Sequence, residues 1–335
     1  MTTQTPPAKG ACCSVPADTP EALTNRCKAA LAAVEAATPA VQSALRTGLV
    51  DIPGGFFDMG TRRSTYPDDG DSPRRKVHVS PFMISPTAVS NADYARFVAA
   101  TGYRTVAEFE GWSFVFHLLL ADPESYPISP EGLPWWRQVH GACWHAPEGP
   151  GSSTEGREDH PAVHISWYDA MAYCRWSGLS LLTEAQWERA ARGGLAHRKF
   201  PWGDALMPGG TYAMNTFQGQ FPQINTAEDG FVGTAPVTAY QPNGFGLYNM
   251  TGNVWEWVQD RFGPHPAAVP GKPDRDPTGA PAGHLRVQRG GSYLCHVSYC
   301  DRYHVHSRTK NDPESSTGNM GFRVGAPLAA PVATG

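Results

Sequence analysis

Apolar positions recur in helical and strand rhythms along the first 194 residues, and beyond them no rhythm lasts. In PEALTNRCKAALAAVEAA, residues 20–37, Leu23, Cys27, Leu31 and Val34 fall three or four apart, which predicts an Ala-rich helix with one apolar stripe. Such a stripe can dock on the main domain or on a partner, and the helix reads as an appendage. From Val50 the pattern changes. VDIPGGFFDMG predicts a strand, a glycine turn and a second strand, and RKVHVSPFMIS (75–85) alternates as paired strands do. Three further helices are predicted together with their ends. SNADYARFVAATGY has Ser90 as N-cap with Asp93 three residues on, Tyr94, Phe97 and Val98 on one face, and Gly102 as its stop. SWYDAMAYCRWSG repeats the design with Ser166, Asp169 and Gly178, and TEAQWERAARGG does so with Thr183, Gln186 and Gly193. Cys174, on the second of these helices beside Tyr173 and Trp176, reads as a small buried apolar residue.

After Gly194 the chain becomes a succession of turns and short segments through to GFRVGAP, 321–327, with no alternating β-α pattern. The expected fold class is therefore α+β, with modest regular structure and loops held by aromatics, caps and ions. Composition agrees: 35 glycines and 31 prolines spread along 335 residues imply short elements and ordered loops, while 41% apolar residues suffice for a sizeable core. The predicted organisation is an N-terminal extension over 1–49 (a mobile Thr/Pro/Ala-rich tail, then the helix), a main domain over 50–327, and a C-terminal tail over 328–335.

A formal net charge of -4 without a long basic run leaves no electrostatic footprint for nucleic acid. No stretch approaches a membrane span, and the N-terminal residues have neither a basic n-region nor an apolar h-region, so the protein is expected to be unexported and cytoplasmic. Seven cysteines at irregular spacing are not a secreted disulfide framework, and most are expected as free thiols. The vicinal Cys12 and Cys13 are read as incidental.

Three segments carry candidate chemistry. In TYAMNTFQGQFPQINTAEDGF, 211–231, Asn215, Asn225, Glu228 and Asp229 are hard oxygen donors of the kind Ca2+ prefers, although without further context turn caps in a solvated loop are the favoured account of them. In NGFGLYNMTGNVWEWVQD, 243–260, Glu256 sits in an apolar stretch near Asn249, Gly252 and Asn253. A buried Glu there needs an Arg, a backbone cap or a cation as partner. In RGGSYLCHVSYCDRYHVHSR, 289–308, Cys295 and Cys300 stand five apart, a spacing that neither a strand nor a helix brings together, so VSYC must bend if both act as one site. Two converging thiolates suit Cu(I), whereas structural zinc would need two more ligands. Spacing alone leaves a metal pair, a redox disulfide and two unrelated thiols open.

RGGSYLCHVSYCDRYHVHSRTKNDPESSTGNMGFRV resembles the C-terminal segment of the formylglycine-generating enzymes, the sulfatase-modifying factors. IPGGFFDMG, DHPAVHISWYDAMAYCRWSG, LLTEAQWERAARGG, NTAEDGF and GLYNMTGNVWEW look like that family in the same order, over about Val50 to Gly325. Ser292, Cys295 and Cys300 together are the specific signal. The resemblance implies a compact formylglycine-generating-enzyme (C-type-lectin-like) fold with little regular secondary structure. It implies an oxidase acting on a protein cysteine, with dioxygen as acceptor, that converts the cysteine of Cys-x-Pro-x-Arg in an unfolded sulfatase polypeptide to Cα-formylglycine. Cys295 and Cys300 would hold Cu(I) as a bis-thiolate that the substrate thiol joins, with Ser292 beside the site and Trp255 lining the pocket. Two structural Ca2+ sites are implied as well: Asn215 and Asp229 by side chain with Thr216 and Phe231 by carbonyl, and Asn249 and Glu256 by side chain with Gly252 and Val254 by carbonyl. The chain is expected to act as a monomer.

Two departures from the family stand out. Val324 and Val305 occupy positions where secreted animal members carry disulfide cysteines, so those bridges cannot form here. HVHS, 304–307, places two histidines near the thiols, expected on one face of a strand and lining the peptide groove. The competing readings are an iron-dependent oxidase of the same superfamily and a non-catalytic binding module on the same fold. The first would need histidines that residues 1–49 lack, and the second has no use for the thiol pair.

Overall fold

The computed structural model describes residues 19–266 and 272–328. Cys12, Cys13 and nearly all of both predicted tails lie outside the described residues. Two four-stranded sheets organise the rest. One runs, in order, Val50–Ile52, Phe82–Ile84, Val324–Pro327, Ser180–Leu181, so the two ends of the main domain meet in one antiparallel sheet. The other runs Arg308–Asn311, Arg286–Arg289, Trp255–Arg261, Met320–Phe322, with the last pair parallel. VDIPGGFFDMG does contain two strands, but they do not pair with each other: Val50–Ile52 takes Phe82–Ile84, and Gly55–Met59 takes Arg75–Val79.

The three capped helices form where predicted, at Asn91–Thr101, Trp167–Ser177 and Glu184–Ala191. In each, the Ser or Thr side chain accepts from the N3 backbone N–H while the N3 Asp or Gln reaches back, satisfying two otherwise orphaned donors. Gly102 and Gly178 close the first two in the left-handed conformation. Cys174 is buried and free, as are Cys27, Cys143, Cys295 and Cys300 among the described residues.

The N-terminal helix spans Pro20–Ala33, four residues shorter than its pattern predicted, and a second helix, Pro39–Thr47, follows it. Thr-Pro at 38–39 both interrupts the first pattern and starts the next helix, because Pro suits the first helical turn and Thr38 caps it. The first helix is no appendage. Cys27 and Val34 are buried in the largest core cluster with Tyr173, Trp176 and Phe322, and Arg175 Nε donates to Val34 O at 2.6 Å. Burial pushes the Cys27 thiol up to about 12, so it stays protonated and behaves as a core residue.

Behind the second sheet lies a buried charge cluster. Arg289 pairs with Glu184 at 3.1 Å and Glu188 at 2.7 Å, Arg308 pairs with Glu184 at 2.7 Å, and Arg192 pairs with Glu188 at 2.6 Å. Arg289 also donates to the carbonyls of Val305 and His306. The guanidinium at the end of the strand Arg286–Arg289 thus ties together the beginning and the end of the segment that carries both site cysteines.

Candidate active site

Gly290 and Gly291 turn the chain out of that strand with φ of 96° and 77°, conformations that side chains rarely adopt. A Cβ on Gly291 would also lie 3.0 Å from Tyr303 Cα, so the turn packs directly on the segment returning from the site. Between them, residues 292–300 form tight turns: Cys295 N donates to Ser292 O at 2.9 Å, and Tyr299 N and Cys300 N both donate to His296 O, at 2.9 and 2.8 Å. The bend required by the five-residue spacing is therefore present. Cys295 Sγ and Cys300 Sγ stand 3.5 Å apart, in contact but far beyond the roughly 2.05 Å of a disulfide.

The two thiols differ in environment. Cys295 is fully enclosed, and burial followed by the neighbouring Cys300 sulfur pushes it well above the usual thiol range. Cys300 sits at the cleft surface, and the hydrogen bond from Cys295 followed by Arg302, whose Nη1 lies 3.9 Å from Cys300 Sγ, lowers it to about 7 against the cost of its own burial. The pair is thus poised as one thiolate and one thiol that donates to it. Arg302 is itself held by Asp69 at 2.5 Å and covers the Tyr66 ring at 3.6 Å.

Both cysteines, buried as they are, line a cleft of about 760 Å³. Ser292, predicted beside the site, is fully buried at its edge; its backbone N–H donates to Cys295 Sγ at 3.3 Å, and its Oγ accepts from Asn319 Nδ2 at 2.9 Å. Trp255 lines the same cleft, placed by the parallel pairing of its strand with Met320–Phe322 and by its N–H bond to Asn319 O at 2.8 Å. Trp112, Phe114 and Trp136 form an aromatic wall from an antiparallel strand pair, Trp112–Phe116 with Trp136–His140, that the sequence reading did not assign. Asn319 and Arg302 were missed too. Both stand inside the segment quoted for its resemblance, but nothing in their spacing distinguishes a residue bonded to Ser292 or to a site thiol from a surface polar one.

His304 and His306 share a face, as expected of alternate residues, but they do not line the cleft. Their rings stack on each other with centroids 5.3 Å apart, His304 packs on Phe200 and Tyr303, and His306 Nδ1 bonds Asp71 at 2.9 Å. Residues 304–306 form a bend and turn, closed by Ser307 N donating to His304 O at 2.9 Å, rather than the expected strand.

The oxygen-rich loops lie directly behind the thiol turn. Phe217 N donates to Cys295 O at 3.1 Å, Gly252 N to Gly290 O at 2.9 Å, Tyr293 N to Asn253 O at 2.9 Å, and Asn253 N to Asn215 O at 2.8 Å. Asn215 Oδ1 and Asn249 Oδ1 are buried without a hydrogen-bond donor. Asp229 Oδ2 accepts from Thr216 N and Gln218 Nε2 and its Oδ1 from Phe231 N, yet burial still raises the carboxyl above its usual range. Glu256 has the Arg partner that its burial demands: Arg323 binds it through Nε and Nη2, both at 2.7 Å, and Trp187 Nε1 donates to the same Oε2 at 2.7 Å. Its Oε1 accepts one of these bonds and retains a lone pair.

Residues 35–326 match the sulfatase-modifying factor enzyme 1-like domain family. The chain is 53% identical over 287 residues to a formylglycine-generating enzyme of Streptomyces coelicolor, covering 85% of this chain and 91% of that protein. It is 42% identical over 290 residues to a Bos taurus relative named inactive C-alpha-formylglycine-generating enzyme 2, covering 84% and 89%. Among solved structures, PvdO from Pseudomonas aeruginosa superposes with a TM-score of 0.59 at 25% identity, covering 84% of this chain and 94% of that one. The expected fold class is thereby met: mixed helix and sheet, few helices and long ordered loops.

Proposed function

This chain belongs to the sulfatase-modifying factor enzyme family, and on that premise we propose that it oxidises the cysteine of a Cys-x-Pro-x-Arg segment in an unfolded sulfatase to Cα-formylglycine, using copper and dioxygen. Family membership supports conversion of a sulfatase cysteine to formylglycine. Because the family also includes a relative named inactive, the observation that carries the activity here is the site itself: two thiols in contact, on residues that line a peptide-sized cleft.

The donor set fits a soft monovalent metal. Among the described residues no group of three or more His, Cys, Asp or Glu converges, so a four-ligand zinc site has no candidate. Cys295 and Cys300 would hold Cu(I) as thiolates and leave a position for the substrate sulfur. Bound there, copper would supply the redox chemistry with dioxygen. Arg302 favours the thiolate of Cys300, and Trp255 with the aromatic wall excludes water from the substrate Cβ. Ser292 holds a hydroxyl beside Cys295 in one orientation because Asn319 donates to it. Leu294 N also donates to this oxygen, at 3.3 Å, so removing the Asn319 donor loosens the hydroxyl rather than freeing it: Asn319→Ala should lower kcat by about tenfold with a smaller change in KM, read by steady-state oxygen consumption.

Calcium fits the loops behind the turn for a physical reason. Two buried amide oxygens without donors and a buried carboxyl raised by its surroundings are a region short of positive charge. Asn215, Thr216, Asp229 and Phe231 would form one shell, and Asn249, Gly252, Val254 and Glu256 the other. Since these loops bond the backbone of Gly290, Tyr293 and Cys295, chelation should both lower the melting temperature by several degrees and reduce activity. An unchanged melting curve after exhaustive dialysis against chelator would remove the ions from the reading.

The activity is tested by mass spectrometry of a peptide containing Cys-Thr-Pro-Ser-Arg after incubation with the protein, Cu(I) and air. Copper-dependent appearance of the aldehyde is the expected result. A peptide left intact by copper-loaded protein would sink the proposal.

A further inference from the structure

The helix Pro20–Ala33 precedes the residues that match the family, yet it forms part of the cleft. Pro20, Leu23 and Thr24 line the same cavity as Cys295, Cys300 and Ser292. The helix is held there from two directions. Its buried face, through Cys27 and Val34, packs in the core against the helix Trp167–Ser177, and Thr24 Oγ1 donates to Glu314 Oε1 at 2.6 Å on the segment between the thiol loop and Asn319. His284 lies 3.3 Å from Glu314 Oε2, so the other oxygen of that carboxylate is engaged as well. Glu314 is thereby a strut for the wall, and Leu23, which packs against the same core cluster as Cys27, keeps the rest of its half-buried side chain on the cleft beside Pro20 and Val106.

We propose that this helix is a specificity element of the enzyme, reading an apolar side chain that flanks the five-residue motif in the substrate polypeptide. The inference rests on the proposed activity and adds to it a contact made outside the residues that the family model matches. The occupant follows from continuity. A chain lying with its cysteine at the thiol pair occupies one cavity whose far wall is Leu23 and Pro20, and an unfolded polypeptide is long enough to reach it. The backbone of that wall is fixed by the core, so the contact is available without ordering a loop, which favours binding over a flexible alternative.

The test compares two substrates with the full-length protein: the isolated Cys-Thr-Pro-Ser-Arg pentapeptide, and the same core extended by four residues on each side, with leucines in the flanks. Leu23→Gln should raise KM for the extended peptide about tenfold, the scale of one lost apolar contact, while kcat/KM for the pentapeptide stays within about twofold. Thr24→Val, which keeps the shape of the side chain and removes its bond to Glu314, should shift KM in the same direction and by less. Equal changes on both peptides, or no change on either, overturn the role of the helix while leaving the activity standing. Failure of the wild-type protein to convert either peptide strikes the activity itself.

Discussion

Replacing either cysteine of the pair by serine should abolish formation of the aldehyde, by at least about a thousandfold, while the protein still unfolds cooperatively. A hydroxyl at either position is a poor ligand for Cu(I) and does not ionise near neutral pH, so one soft donor is lost outright. The two variants should differ in stability. Cys295 is 1% exposed, and a serine there buries a hydroxyl in a site shaped for sulfur; Cys300 is 9% exposed at the cleft and costs less. Copper binding gives an independent readout: wild type should take up one Cu(I) per chain, and neither variant should retain it in the presence of a competing chelator. Full activity in both variants would refute the dithiolate site, whereas loss in only one would assign the chemistry to a single nucleophilic thiol.

The second large effect is expected far from solvent. Arg289→Met leaves Glu184 to Arg308 and Glu188 to Arg192 but removes the cation they share and its two carbonyl bonds, a loss of about 3 kcal/mol, the lower end for breaking a buried pair. For a chain of this size the melting temperature should fall by on the order of 10 °C. Because Arg289 also holds the carbonyls of Val305 and His306, copper affinity should fall with it, and Arg289→Lys should recover stability better than affinity. The same cluster sets an acid limit. Burial alone would raise the Glu188 carboxyl, but Arg192 and Arg289 bring it down from an ordinary 4.5 to about 2. A carboxyl lowered by folding contributes stability that is fully present above about 4.5 and is lost as pH falls toward 2. Unfolding followed between pH 5 and 2 should therefore show a steep loss of stability in the wild type, and a shallower one in Glu188→Gln from a lower starting value.

What could be read from the chain alone follows from how local each signal is. The capped helices at Ser90, Ser166 and Thr183 were legible because a cap, its reciprocal partner and the closing glycine lie within one or a few turns of sequence. The bend bringing Cys295 to Cys300 was legible as a requirement, since regular geometry cannot join residues five apart, and the family resemblance supplied what a paired thiol is for. The strands were legible as strands, but their partners were not. Val50–Ile52 pairs with Phe82–Ile84, and Val324–Pro327 closes on the same strand from more than 240 residues away, contacts that no periodicity encodes. The lowering of Cys300, the hold of Asn319 on Ser292, the removal of the histidines from the cleft and the placing of Leu23 in its wall are likewise decided only in three dimensions. Sequence carries short-range hydrogen-bonding and periodicity directly; burial, charge pairing and cavity walls are sums over residues brought together by packing, and so they are fixed only once the chain has folded.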